Sequence, residues 1–225
     1  MFETATHLIH DAKKIVIIQA ENPDGDSLGS ALALEEILGD LGKEVSLYCP
    51  VEIPKYMRFI QGWDRVTTNF DTHADLAIIV DTTADVLITK VLDTPGVRHF
   101  LESHPVLVID HHPGDSNLSF NHTLLAEDAV ATSEIIYKFA ADNSWSINQQ
   151  AAENMLVAIK TYPDGKITGK LRANLPIAET VAGYFGGGGH KYASGFRAYE
   201  SYDTIISELV TATDKALRDH DTQTT

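Results

Sequence analysis

Short, unbroken apolar runs alternate with longer stretches of helical spacing over the first two thirds of the chain. Lys14–Ile18 (KIVII), Leu76–Val80 (LAIIV) and Val106–Ile109 (VLVI) are continuous and rich in β-branched residues, the pattern of strands buried on both faces. Glu44–Tyr48 (EVSLY) predicts a further strand. Between the first two of these, Leu28, Ala31, Leu32, Ile37, Leu38 and Leu41 recur at helical spacing, so a helix is predicted over Ser27–Leu41, with Gly42 just past its end. Ala131–Ala141 and Gln149–Ile159 predict two more helices. Strands alternating with helices imply an α/β fold, a parallel sheet carrying helices on both faces.

The rhythm changes after Ile159. Tyr162-Pro-Asp-Gly165 predicts a turn, Lys166–Ala173 a strand and Ile177–Tyr184 a helix. The run Gly186–Gly189 follows, then an amphipathic helix over Tyr202–Asp219 and a frayed tail. The expected organisation is an α/β domain over residues 1–160 and a small α+β domain over 161–225. A piece of about 65 residues is small for an independent core, so it is expected to lean on the first domain or on a second copy, as in a homodimer.

Charge narrows the partners. Seventeen Lys and Arg face 32 Asp and Glu, a formal charge of −15. Binding long nucleic acid by counterion release needs a basic surface, so no long-duplex partner is expected. An anionic substrate would need a local device: a metal ion, a glycine-rich amide cradle or an arginine. The lone cysteine, Cys49, fits a reducing compartment. Neither a signal peptide nor an apolar stretch of about 20 residues is evident, so the expected location is cytoplasmic, with no membrane partner.

Three acidic features share one architectural position. Asp24 and Asp26 follow the first strand, Asp81 follows the third, and Asp110-His111-His112 follows the fourth. In an open parallel sheet, groups just beyond strand C-termini converge on the crevice where ligands bind. Crowded carboxylates repel one another unless a cation compensates them. Mixed carboxylate and imidazole donors suit Mn²⁺, with Mg²⁺, Co²⁺ or Zn²⁺ as competitors. Taken singly, Asp-Gly-Asp is also what a turn looks like, and Asp81 alone reads as a helix cap. The segment is no EF-hand loop, because Ser27 and Ala33 stand where that loop needs Gly and Glu. A second constellation, Gly186-Gly187-Gly188-Gly189-His190-Lys191, lets backbone amides approach an anion, and Arg172 can grip phosphate through two hydrogen bonds. It is neither a P-loop nor a dinucleotide fingerprint. His73, His104 and His122 have no ligand spacing and read as structural or surface residues.

In this order, Asn22-Pro-Asp-Gly-Asp26, Asp81-Thr-Thr83, Asp110-His-His112 and Gly186-Gly-Gly-Gly-His190 resemble the motif series of the DHH phosphoesterase superfamily, nearest its oligoribonuclease and 3′-phosphoadenosine-5′-phosphate phosphatase branch. The resemblance implies two Mn²⁺ ions in the first domain and a second domain that holds the phosphate or terminal nucleotide. It implies Asp24 on one metal, Asp26 on the other, Asp81 between them and His111 on the second. His112 would meet the substrate phosphate or the metal-held water, with Asp110 orienting the histidines. Gly186, Gly187, Gly188, Gly189, His190 and Arg172 would receive the substrate, a short oligonucleotide or nucleotide phosphate. Two departures accompany it: Ala20 stands where the family carries a histidine ligand, and an Asp-Thr-Gly type motif expected after Ile159 is missing. Glu21 and Asp164 are the nearest replacement carboxylates. Three readings follow: a working phosphoesterase, a degenerate nucleotide-binding member, and a manganese pyrophosphatase sharing the metal motifs.

Overall fold

Alternate residues of the first buried run divide between two apolar layers: Ile15 and Ile17 belong to one, Val16 and Ile18 to the other. The computed structural model describes residues 2–112, 114–129, 131–156, 158–161, 167–173 and 175–223, apart from the side chains of residues 156, 158–161, 172, 202, 203, 221 and 223. Residues 1–156 form one compact unit. Its elements are α1 (Phe2–Asp11), β1 (Lys14–Ile18), α2 (Gly25–Asp40), β2 (Glu44–Tyr48), β3 (Val66–Thr67), β4 (Leu76–Val80), α3 (Thr89–Asp93), α4 (Val97–Ser103), β5 (Val106–Asp110), β6 (Thr123–Ala126), α5 (Thr132–Asp142) and α6 (Gln149–Leu156).

The strands pair in parallel in the order β3-β2-β1-β4-β5-β6. Strand order turns back between β1 and β4, which opens a crevice beyond their C-terminal ends. One face of the sheet is covered through Ala5 and Ile9 of α1, Leu28 and Leu32 of α2, and Ile135 and Phe139 of α5. The other is covered through Val91 and Leu92 of α3 and Phe100 and Leu101 of α4. Every residue of β4 and β5 is buried, so their unbroken apolar runs follow from having no solvent side.

Several elements extend or correct the sequence reading. The helix α2 begins at Gly25, because Asp24 caps it through Oδ1 to the amides of Asp26 and Ser27. The helix expected over Gln149–Ile159 stops at Leu156, and Ala158–Thr161 is instead strand β7. A short apolar run suits either state, and antiparallel pairing with β8 (Ile167–Arg172) decides it. The elements α1, β3, α3, α4 and β6 carried no clear sequence signal.

Residues 157–225 form the second unit. Besides β7 and β8 it contains α7 (Ala178–Tyr184), β9 (Gly188–His190), β10 (Ala193–Ala198) and α8 (Tyr202–Gln223), the last running past the expected end at Asp219. Its antiparallel sheet has the order β7-β8-β10-β9. Ile167, Val181, Phe196, Ile205 and Leu209 are buried there. The turn expected at Tyr162–Gly165, with Asp164, lies outside the described residues.

Within the first unit, α2 and α6 approach closely at Gly29, where a Cβ would collide with the Asn154 carbonyl oxygen. Alanine would gain about 1 kcal/mol in helix propensity. Overpacking against a backbone atom costs about 1–3 kcal/mol. Gly29→Ala is therefore expected to lower stability in urea unfolding, against the propensity trend.

Candidate metal centre

Each acidic group at the crevice is fixed by the local backbone. Asp81 directly follows β4 with φ 63°, in the left-handed region, while its amide donates to Ile109 O at 2.9 Å. Aspartate tolerates this conformation better than most residues, and the turn lifts its side chain off the strand. Thr132 Oγ1, on the first turn of α5, donates to Asp81 Oδ1 at 2.9 Å. Asp26 lies in the first turn of α2 and reaches across to α5. Its Oδ2 accepts from the Thr132 amide at 2.9 Å and its Oδ1 from the Ser133 amide at 3.3 Å. Ala131 at the N-cap offers no capping side chain, so a carboxylate from another helix satisfies those amides. Ser30 Oγ adds a donor to Asp26 Oδ1 at 3.2 Å.

The Asp-His-His segment completes the cluster. Asp110 is fully buried; its Oδ1 lies 2.7 Å from His112 Nδ1, and its Oδ2 accepts from Thr83 Oγ1 at 3.1 Å. A carboxylate accepts, so the proton belongs on His112 Nδ1 and leaves Nε2 bare. The His112 side chain is 55% exposed, open to solvent and ligand. His111 is held differently: its Nδ1 faces the Ala129 carbonyl at 3.3 Å, so Nδ1 is the donor and Nε2 carries the lone pair. That Nε2 stands 3.5 Å from Asp26 Oδ2 and 3.7 Å from Asp81 Oδ1. A bare imidazole nitrogen confronting two carboxylate oxygens is repulsive unless a cation or a proton lies between them. Neighbouring strand residues point apart, yet the two histidine rings lie 4.4 Å apart, because the chain leaves the sheet at this point.

Burial pushes the Asp81 carboxyl up to about 8, reinforced by the carboxylates of Asp26, Asp24 and, less strongly, Asp110; the Thr132 hydroxyl pulls the other way. Among the described residues, ligand atoms of Asp81, His111 and His112 lie within 4.8 Å of one another. The donor chemistry fits a divalent cation: oxygen from Asp81 and Asp26, and nitrogen from His111, each in need of positive charge. Of the sequence candidates, the fold thus brings together Asp26, Asp81, Asp110, His111 and His112. Asp24 stands beside them as the cap of α2, close enough to disfavour ionisation of Asp81. Asp81 caps no helix, contrary to its reading in isolation. Ala20 packs among apolar residues of the opposite layer. Glu21 offers no ready substitute, since its Oε2 accepts from the Lys90 amide at 2.7 Å. Thr132, Ser133 and Ser30 escaped the sequence reading, because the first two act from the start of α5 and Ser30 from the second turn of α2, while Thr83 entered only as part of the Asp81-Thr-Thr83 motif.

The glycine segment, in the second unit, departs from the expected amide cradle. Gly187 donates to Ala182 O and Gly186 to Gly183 O, with Gly186 at φ 66°. These two bonds close the C-terminus of α7, so those amides are occupied. Gly188, Gly189 and His190 form the exposed edge strand β9 against β10. A small open cleft beside them is lined by Lys170, Leu171, Gly188, Ala193, Ser194 and Gly195. His190 Nδ1 accepts from the Tyr192 amide at 3.4 Å. The backbone of Arg172 pairs with Ala193, and its side chain lies outside the described residues.

A raised folded-state value means that folded Asp81 holds a proton that the unfolded chain releases. In metal-free protein this contribution to stability is complete below the ordinary carboxylate range and is lost as pH rises to about 8. Asp81→Asn removes the ionisation. In EDTA it is expected to melt above the unmodified chain at about pH 9, with the gap shrinking steadily as pH falls and closing only near pH 4 in thermal melts monitored by circular dichroism.

Comparison with known proteins places this geometry. A 27%-identical stretch of 160 residues, 70% of this chain, matches 48% of the bifunctional oligoribonuclease and PAP phosphatase NrnA of Mycoplasma genitalium. A probable manganese-dependent inorganic pyrophosphatase of Enterococcus faecalis is 29% identical over 153 residues, 65% of this chain and 47% of that protein. The chain thus spans about half the length of these relatives. A crystal structure of an exopolyphosphatase-related protein from Bacteroides fragilis shares the fold, with TM-score 0.59, 16% identity and 95% of each chain covered. The model of the DHH family N-terminal domain matches residues 14–159, which include every acid and histidine of the crevice, and the chain belongs to the DHH family.

Proposed function

We propose that the chain is a metal-dependent phosphoesterase acting on nucleotide phosphates or short oligonucleotides. The observation that carries this reading is the confrontation of His111 Nε2 with Asp26 and Asp81. Asp26, Asp81 and His111 would hold divalent cations, with Asp24 beside them; Mn²⁺ is the favoured ion, and two are expected. Bound there, divalent cations polarise a phosphate and acidify water. Asp110 locks the His112 tautomer, so Nε2 is left as an acceptor on a side chain that is 55% exposed. From there it takes a proton from attacking water or binds phosphate. The Thr132 hydroxyl and the amides at the start of α5 keep the carboxylates oriented when no substrate is bound. Within the second unit, Lys170 lines a small cleft beside the glycine segment and is a cation suited to phosphate.

The names of the relatives support this substrate class. The pyrophosphatase reading has the weaker support, drawn from the shared metal motifs and the name of one relative, whereas the names of the others point to nucleotide substrates. The degenerate reading draws on Ala20, which offers no ligand atom and sits in an apolar layer.

With Mn²⁺ and 3′-phosphoadenosine-5′-phosphate or di- to tetranucleotides, the chain is expected to release phosphate or mononucleotide. Asp81→Ala should reduce this by more than the roughly 10–100-fold typical of losing an outer partner. His112→Gln should lower kcat by about 10²–10⁴-fold while bound Mn²⁺, measured by elemental analysis, stays unchanged. An inert unmodified chain across Mn²⁺, Mg²⁺ and Co²⁺ would overturn the catalytic reading. Ala20→His, assayed beside it, separates the alternatives: gains in both metal content and turnover mark a short ligand set, and unchanged values favour the degenerate reading.

A further inference from the structure

Buried polar side chains gather at the C-terminal edge of the large sheet. Ser30, Thr132 and Asp110 are all partnered within the cluster. Two are not. Neither amide atom of Gln19, nor the hydroxyl of Ser27, has a hydrogen-bond partner among the described residues. Gln19 is 0% exposed and Ser27 only 3%.

Strand alternation locates the amide. Ile15 and Ile17 belong to the apolar layer beneath α2 and α5, and Gln19 is the next residue on that side. Its backbone amide continues the pairing of β1 to Tyr48. Cys49 and Val80, the residues following Tyr48 and Ile79 in register with Ile18, belong to that same layer. Asp26, on α2, and Asp81, bonded to Thr132 of α5, lie on that side too. Gln19 therefore approaches the carboxylates from the sheet, and Ser27 stands one residue beyond Asp26.

A buried primary amide with no partner is strongly disfavoured, and aliphatic neighbours give no reason to keep one. A direct bond to a cation would use Oε1 and leave Nε2 bare. Water accepts from Nε2, donates to Oε1 and still reaches a third group such as the Ser27 hydroxyl. We propose that Gln19 and Ser27 hold ordered water beneath Asp26 and Asp81, and that this water orients the carboxylates, making Gln19 a positioning residue of the cation centre. The inference rests on the reading of Asp26, Asp81 and His111 as that centre.

Mn²⁺ titration followed by electron paramagnetic resonance tests it without recourse to activity. The full chain is compared with Gln19→Met, Ser27→Ala and the double variant, each also melted in EDTA. Gln19→Met is expected to weaken Mn²⁺ binding by about 10-fold or more while its metal-free melt stays near that of the unmodified chain. Because both side chains act through one water, the double variant should bind no more weakly than the worse single variant. Additive losses would overturn the shared water. Unchanged affinity in both single variants would overturn the inference and leave the metal centre standing. An unmodified chain that binds no Mn²⁺ removes both. Should Gln19→Met fail to fold, Ser27→Ala decides alone: weaker binding supports the proposal and equal binding overturns it.

Discussion

At the crevice, Asp26, Asp81 and the bare nitrogen of His111 are brought face to face, three acceptors with nothing between them until a proton or a cation is taken up. Burial and neighbouring carboxylates both disfavour charge on Asp81, and the Thr132 hydroxyl offsets only part of that cost. The folded chain can tolerate this arrangement in two ways. It can take up a proton, which satisfies one group, or a multiply charged cation, which satisfies all of them at once. The proposed chemistry, the pH dependence of metal-free stability and the use of helix amides as supports all derive from this one crowded spot.

The sheet makes the crowding unavoidable. With parallel strands in the order β3-β2-β1-β4-β5-β6, the ends of β1, β4 and β5 are neighbours, so whatever follows them shares one edge. The helices that follow β1 and β6 then present their N-terminal amides to the same edge. The start of α2 is capped by Asp24, and that of α5 by Asp26. The positive ends of two helices thereby lessen, without cancelling, the repulsion among the acids.

Much of this was legible from sequence because the informative strands are the doubly buried ones. The runs KIVII, LAIIV and VLVI have no polar face, and the acids that follow them, directly at Asp81 and Asp110 and after a short turn at Asp24 and Asp26, fall where the parallel topology gathers strand ends. Less was legible where long-range pairing decides structure. Ala158–Thr161 looks like the last turn of a helix until β8 is there to pair with it. Thr123–Ala126 is too short to announce itself as an edge strand. The glycine run was legible as a place needing glycine but not as to why. Gly186 must turn left-handed to end α7, and a Cβ on Gly187 would meet Gly195 and Phe196. Gln19 gave no signal at all, since only the closed layer around it shows that its side-chain amide has no partner among the described residues.

The double duty of Asp26 changes how substitutions there must be interpreted. Its two oxygens hold the first two amides of α5, a helix whose Ile135, Ile136 and Phe139 form part of the main core. Replacing it with alanine would bare those amides and loosen the anchoring of Thr132, which in turn steadies Asp81. A loss of cation affinity at position 26 would mix ligand removal with slackening of an entire helix start. The same linkage runs the other way: any ion drawing on Asp26 competes with a helix for its electrons, so occupancy of the crevice and the tightness of α5 are set by one carboxylate.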